Sequence, residues 1–362
     1  MILGVAEVRN VVRRRGARGI PTWRSHWYNA ETERLYGSQL QVLRVEFPED
    51  CITAAFIEPG VWEAPPEVGG DYRWAISPKP ANAVFRENNW TIDGVIDHGQ
   101  GVLPGWDRLD DLLAHLEELD RPEAFARVGR TVQEQPGRYV IGILNHNFYD
   151  RLWKLRGVSN VLTDFYLHPE QISRLAEGIL DLQKKWVRRY AAAGVHAIGC
   201  ADDYGCQRST LFSPAIFAKF LKPLWAELCG EAHQLGLDVW LHSCGNLTPI
   251  LGHLAEAGID MLHPIQVGCF DEGWVIANFA GTIGFHLGMD VQHLIVEATP
   301  QQVARACRER LRRFLRREGG LAVGAGNAIM PETPIDNIRA FHETIREFRE
   351  GGASWGKSRQ GA

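Results

Sequence analysis

The chain has 362 residues, 45% of them apolar and 23% charged, with a formal net charge of −5. That length holds one large domain or two ordinary ones, and the apolar share is enough to bury a sizeable core without disulfides. Charges of both signs are interspersed, which argues against nucleic acid or an anionic membrane as the main partner.

The seven cysteines, Cys51, Cys200, Cys206, Cys229, Cys244, Cys269 and Cys307, follow no regular disulfide spacing. The start, Met1-Ile2-Leu3-Gly4-Val5, lacks the basic lead and long apolar centre of a signal peptide. No apolar stretch reaches the roughly 20 residues that a membrane helix needs. These features predict a cytoplasmic protein with reduced thiols.

The first 136 residues are irregular. Ile20–Trp23 reads as a first strand and Ala30–Leu43 as a helix. Glu58–Ala83 is rich in Gly and Pro, with short β-like pieces such as Tyr72–Ile76. Arg108–Gln133 reads as two helices broken near Arg121-Pro122. Trp23, Trp27, Tyr28, Trp90 and Trp106 concentrate aromatics here, either lining a pocket or packing the core of this part.

From residue 137 to 350 short apolar runs alternate with amphipathic helical stretches, the pattern of a parallel sheet wrapped by helices. The strand candidates are Arg138–Leu144, Val195–Cys200, Leu237–Leu241, Ile259–His263, Thr282–His286 and Leu321–Ala325. Helices are expected around Pro169–Ala193, Pro214–Leu235, Leu247–Ala257, Pro300–Arg317 and Thr333–Arg349. Ser213 and Thr299 are N-cap candidates just before Pro214 and Pro300. The basic run Arg308–Arg317 reads as a solvated helix face.

Adding one strand at Ile20–Trp23 and one from the irregular part gives eight. The expected fold is therefore an α/β (β/α)8 TIM barrel with an irregular N-terminal elaboration, residues 1–362 forming one domain. An open doubly wound sheet is the alternative, although no Gly-x-Gly-x-x-Gly follows an early strand.

Active sites of such barrels lie at the C-terminal strand ends. The polar residues there are Asn145-His146-Asn147, Asp202-Asp203-Tyr204, His242 with Cys244, His263 with Gln266, Asp290 with Gln292, and Asn327. Residues two apart on an extended segment point to the same side, so His242 and Cys244 can reach one ion. The same pair is also compatible with a packed thiol and a hydrogen-bonded imidazole. Of the adjacent acids Asp202 and Asp203, one is expected to face the site, either as an acid or base or as a helix cap. Asp290 follows Gly288 and reads as an inward acceptor or as a turn former.

These motifs resemble the uroporphyrinogen decarboxylase superfamily. The resemblance rests on Asp202-Asp203-Tyr204-Gly205-x-Gln207, Phe212-Ser213-Pro214 and His242-Ser243-Cys244-Gly245-Asn246. It continues through Ala257-Gly258-Ile259-Asp260, Pro264-Ile265-Gln266, Gly288-Met289-Asp290-Val291-Gln292 and Pro331-Glu332-Thr333-Pro334-x-x-Asn337.

It implies a (β/α)8 barrel and two chemistries: cofactor-free decarboxylation, or methyl transfer linked to a corrinoid through a His-x-Cys zinc site with a distant Cys. The chain departs from the decarboxylase pattern at Pro21-Thr22-Trp23-Arg24-Ser25-His26-Trp27, where the family carries its substrate arginines. It departs from both branches at Asn327, where they place His or Cys.

The resemblance therefore implies methyl transfer with a corrinoid-carrying partner, zinc or an activated thiol at His242 and Cys244, and a homodimer. The expected catalytic residues are Asp203, Tyr204, His242, Cys244 and Asp290. The expected substrate contacts are Asp202, Gln207, Gln266, Gln292, Asn327 and His146. The alternatives are a cofactor-free decarboxylase of a carboxylated, tetrapyrrole or smaller, substrate, and a non-catalytic binding protein.

Overall fold

A computed structural model of the chain describes residues 2–23, 28, 30–56, 61–63, 73–75, 103, 105–144 and 146–350. Seven strands form one curled sheet in the order β1 (Cys51–Ala55), β4 (Tyr139–Leu144), β5 (Ala197–Ala201), β6 (Asp238–His242), β7 (Met261–His263), β8 (Gly284–Leu287) and β9 (Leu321–Val323). All six pairings are parallel. From β4 onward, sequence order equals spatial order, and a helix follows each strand up to β8. Such crossovers bury both faces of a sheet, which is why β4 reads Tyr-Val-Ile-Gly-Ile-Leu with every residue buried. The architecture is α/β and TIM-barrel-like.

Two strands, β2 (Val61–Glu63) and β3 (Arg73–Ala75), pair antiparallel outside that sheet. The β-like piece expected at Tyr72–Ile76 is therefore real at β3 but does not join the main sheet, and Tyr72 and Ile76 lie outside the described residues. The strand that the irregular part contributes to the sheet is β1.

The strand expected at Ile20–Trp23 is reduced to a bridge. Thr22 pairs parallel with Val323, the Trp23 N–H donates to the Val323 carbonyl, and the Val323 N–H donates to that of Pro21. On the other side the Thr22 carbonyl accepts from the N–H groups of Asp50 and Cys51 at 3.1 Å. Pro21 has no N–H to extend the ladder, which shortens this element.

Side chains inside the curl form their own apolar layer, with Tyr139, Ile141, Ile143, Ala197, Trp240, Met261 and Ala322 from the strands and Trp23 among them. Trp23 meets Trp240 edge-on at 5.5 Å. The helix Val5–Val12 adds Val8 and Val12 to the same layer at the strand starts. It is held there by Arg13, whose Nε lies 2.7 Å from Asp238, and Asp238 also accepts from the Tyr139 hydroxyl at 2.5 Å. Asp50, fully buried, accepts from the Leu3 N–H, from Thr22 and from the Arg349 guanidinium. The N-terminal end of the sheet is thus filled, and the C-terminal strand ends are left for chemistry.

Helix starts follow the expected chemistry. Ser213 Oγ accepts from the Ile216 N–H, and Thr299 with Gln302 forms a reciprocal capping box. The long helix expected over Pro214–Leu235 is divided by a π-helical segment, Phe217–Leu221, before Lys222–Gln234. Pro223 cannot donate one turn back, and the wider turn accommodates that loss. Arg308–Arg317 is not wholly a solvated face. Arg310 points inward, bonding Glu272 at 2.6 Å and the carbonyls of Ile265 and Gly288.

Candidate active site at the C-terminal strand ends

The strand register brings imidazoles together. Trp240 and Met261 face the interior layer, so His242 and His263, two residues further along β6 and β7, face the same way. They are register partners, and their ring centroids lie 5.0 Å apart. His286 of β8 stands 4.4 Å from His263 and stacks on Trp23 at 5.7 Å. His242 Nδ1 lies 2.8 Å from His263 Nδ1, and His263 Nε2 lies 2.8 Å from the Ala325 carbonyl oxygen.

The other edge of His242 meets the thiol and a carboxylate. Its Nε2 is 3.3 Å from Cys244 Sγ and 3.8 Å from Asp203 Oδ1. The Cys244 N–H donates to Asp203 Oδ1 at 2.8 Å, which ties the loop after β5 to the loop after β6. One ligand atom from each of Asp203, His242 and Cys244 lies within 4.8 Å of the others. The Asp203 side chain is 41% exposed and the His242 side chain 22%, so the cluster is open to a small molecule.

Two glycines let these loops approach. A Cβ on Gly205 would lie 2.5 Å from the Cys244 carbonyl oxygen, and one on Gly245, at φ +83°, would lie 2.5 Å from the Gly205 backbone. The Asn246 N–H donates to the Cys206 carbonyl across the same contact.

Two of the expected site residues lie apart from the cluster. The Tyr204 hydroxyl is fully buried, donating to Asp202 and accepting from the Trp225 indole, both at 2.5 Å. Asp202 is also fully buried. Its carboxylate accepts the N–H groups of Phe148, Tyr149 and Asp150, which start the helix Tyr149–Arg156. Successive residues point to opposite faces of an extended chain, so Asp203 takes the site and its two neighbours take the core. Asp202 is the helix cap of the pair.

His146 adopts a left-handed φ of +55°, and its Nδ1 lies 3.5 Å from Asp150. Asp150 in turn accepts from the Asp203 N–H at 3.2 Å, so His146 stands one residue removed from the cluster. Asn147 is buried and bonds Gln183 and the Ala201 backbone. Asn145 lies outside the described residues.

Gln266 and Asn327 join the cluster: Gln266 Oε1 accepts from the Gly245 N–H at 2.8 Å, and Asn327 Nδ2 donates to Cys244 Sγ at 3.3 Å. They also line a small cleft of about 70 Å³ with Val267, Met289, Asp290 and Gln292. The Asp290 carboxylate is engaged locally, accepting the N–H groups of Gln292, His293 and Leu294. It borders the cleft as a turn former. Gln207 is exposed and accepts from the Cys269 thiol at 3.1 Å. Trp23, Tyr28 and Trp106 pack against protein groups, while Trp27 and Trp90 lie outside the described residues.

Burial shifts how these groups hold their protons. It pushes the Cys244 thiol well up, reinforced by the Asp203 charge. Protein packed against the inner side of Asp203 raises its carboxyl too, against the opposing pull of His242. Burial, with His286 and His242 alongside, holds His263 well below the ordinary imidazole range. A half-buried thiol beside an imidazole and a carboxyl group fits a cation that replaces protons, or proton exchange with a substrate. The sequence places His263 among the strand-end polar residues without assigning it a role, and it does not point to Asp150. The available signals were the shared position of His242 and His263 at adjacent strand ends, and the four-residue spacing of His146 and Asp150.

Comparison with known proteins gives a concordant picture. The family model described as Uroporphyrinogen decarboxylase (URO-D) matches residues 154–348. A curated uroporphyrinogen decarboxylase from Solibacter usitatus (strain Ellin6076) is 25% identical over 177 residues, 49% of this chain and 48% of that protein. The chain thus spans about half the length of this curated relative. A methyltransferase from Methanosarcina mazei superposes with a TM-score of 0.59 at 15% identity, covering 96% of this chain and 99% of that one. At that identity the likeness concerns the fold.

Proposed function

The chain belongs to the uroporphyrinogen decarboxylase family, and from that premise we propose that it is an enzyme of methyl transfer, working with a corrinoid-carrying protein. The reading takes the segment around the Thr22 bridge as the eighth strand of a (β/α)8 barrel and Asp203, His242 and Cys244 as the reaction centre. One observation carries it: a nitrogen, a sulfur and an oxygen donor lie within 4.8 Å of one another at the open strand ends.

The donor set fits zinc. A tetrahedral ion 2.0–2.3 Å from each ligand needs donors about 3.5 Å apart, and the His242–Cys244 and His242–Asp203 separations are 3.3 and 3.8 Å. Asp203 then supplies the third ligand where the methyltransferase branch has a distant Cys, and a fourth position stays open for substrate. Bound zinc would stabilise a sulfur nucleophile as its thiolate at neutral pH.

The chain's own residues do the rest. Asn327 donates to Cys244 Sγ and steadies charge on the sulfur, while the Cys244 N–H orients Asp203. Gln266 fixes the Gly245 turn and, with Met289 and Gln292, bounds the small cleft that Asn327 also lines.

Protein purified without chelator is expected to carry about one zinc per chain by mass spectrometry of metals. Cys244→Ala is expected to lose that zinc and at least 100-fold of methyl-transfer activity, roughly 3 kcal/mol at the transition state. Near-zero zinc, with turnover surviving Cys244→Ala, overturns the reading.

A second reading, cofactor-free decarboxylation, is supported by the place of the Asp203 carboxyl at the open strand ends beside His242, where an acid could deliver a proton to a carbanion. It predicts indifference to Cys244→Ala and loss of turnover in Asp203→Asn.

A further inference from the structure

We propose that His263 is a positioning residue that fixes His242 as its Nδ1–H tautomer, so that the Nε2 lone pair faces Cys244 and Asp203. The inference deepens the zinc reading and rests on it only for the ion that this lone pair would take.

The argument starts at Ala325, whose carbonyl oxygen can only accept. His263 Nε2 lies 2.8 Å away and so carries the proton of that bond. His263 is 2% exposed and packed between His242 and His286. A second proton would leave a buried cation among imidazoles, so the ring is neutral. Its Nδ1 is then an acceptor. His242 Nδ1, 2.8 Å away, must supply the hydrogen between them, and a neutral His242 is left unprotonated at Nε2.

That nitrogen is the one 3.3 Å from Cys244 Sγ and 3.8 Å from Asp203 Oδ1. The opposite tautomer would aim an N–H at the thiol and could neither bind a cation nor take the thiol proton. Ligating histidines usually donate their second N–H to a carboxylate, a carbonyl or water. Here an uncharged imidazole stands in that place, itself anchored to β9 by the Ala325 carbonyl. The register of β6 against β7 builds the relay, because His242 and His263 are Cα partners.

The test uses the full chain with 15N-labelled histidine, and His242→Gln assigns the signals. In metal-free protein, His242 is expected to show a protonated Nδ1 and an unprotonated Nε2; a protonated Nε2 overturns the proposal. Two variants separate positioning from packing, with thermal unfolding measured on each to confirm the fold. His263→Leu removes the acceptor. It should convert His242 to a tautomer mixture and weaken zinc binding, read by chelator competition, tenfold or more. His263→Asn keeps an oxygen at the Nδ1 place and should hold zinc affinity within about threefold of the parent.

Equal losses in both variants with an unchanged nitrogen pattern would make His263 merely structural and overturn the proposal. If the parent binds no zinc, the reading of function falls, and the nitrogen signals of metal-free His263→Leu alone decide this one. A mixture upholds it, and an unaltered Nδ1–H form overturns it.

Discussion

At the scale of single residues, the sharpest division lies within Asp202-Asp203-Tyr204. Three consecutive polar side chains part company because the chain is extended there: the middle one reaches the cluster and the outer two enter the core. Sequence alone allowed one acid to face the site but could not say which, since that depends on strand phase. Asp202→Asn should therefore act on stability. An amide cannot accept all four of the N–H and O–H groups that meet the carboxylate, and the cost should be about 3 kcal/mol. Urea unfolding measures it, and a loss below about 0.5 kcal/mol would contradict the capping role. Asp290 was legible as polar and strand-terminal, but its engagement by three amides was not, because a turn-forming Asp and an inward-facing Asp look alike in sequence.

At the scale of elements, the parallel strands were readable because helices cover one face and interior side chains the other, leaving continuous apolar runs. Five of the six candidates from residue 137 onward begin one or two residues inside the expected bounds, and Leu321 begins where expected. The helices Tyr149–Arg156 and Val158–Leu167 escaped notice. Both are short, and buried Asp150, Arg151, Arg156 and Asp164 interrupt the apolar stripe by which a helix is recognised. Arg310 escaped for a related reason: in a basic run it reads as surface, yet it joins the helix Pro300–Phe314 to the loops after β7 and β8. Arg310→Met should destabilise by about 3 kcal/mol, since two carbonyls and part of Glu272 lose a donor. Hydrogen exchange should localise the loosening to residues 264–270 and 287–292, and uniform protection across those loops would refute the clamp.

At the scale of the molecule, the curled sheet encloses histidines that resist protonation. Burial pushes His286 down to about 3 from an ordinary 6.5. Below pH 6.5 the unfolded chain takes up a proton that the folded chain refuses, so this group withdraws stability as pH falls from 6.5 toward 3. The slope for one proton is about 1.4 kcal/mol per pH unit. Asp202, Asp203 and Asp238, raised by burial, tilt stability the other way, so the effect is read as a difference. The unfolding free energy of the wild type minus that of His286→Gln should fall by nearly that slope between pH 6 and 4. A constant difference would place His286 in contact with solvent.

Asp50 carries a consequence for how such a chain is made. This one buried carboxylate receives the amide of Leu3, the backbone and hydroxyl of Thr22, and the guanidinium of Arg349. Its cationic partner is translated almost three hundred residues after it. During synthesis the early segments can gather around the anion while this counter-charge does not yet exist, so its pairing must wait for the helix Ile335–Glu350. A ribosome that stalls before that helix would release a chain in which this buried anion has no Arg349 to meet.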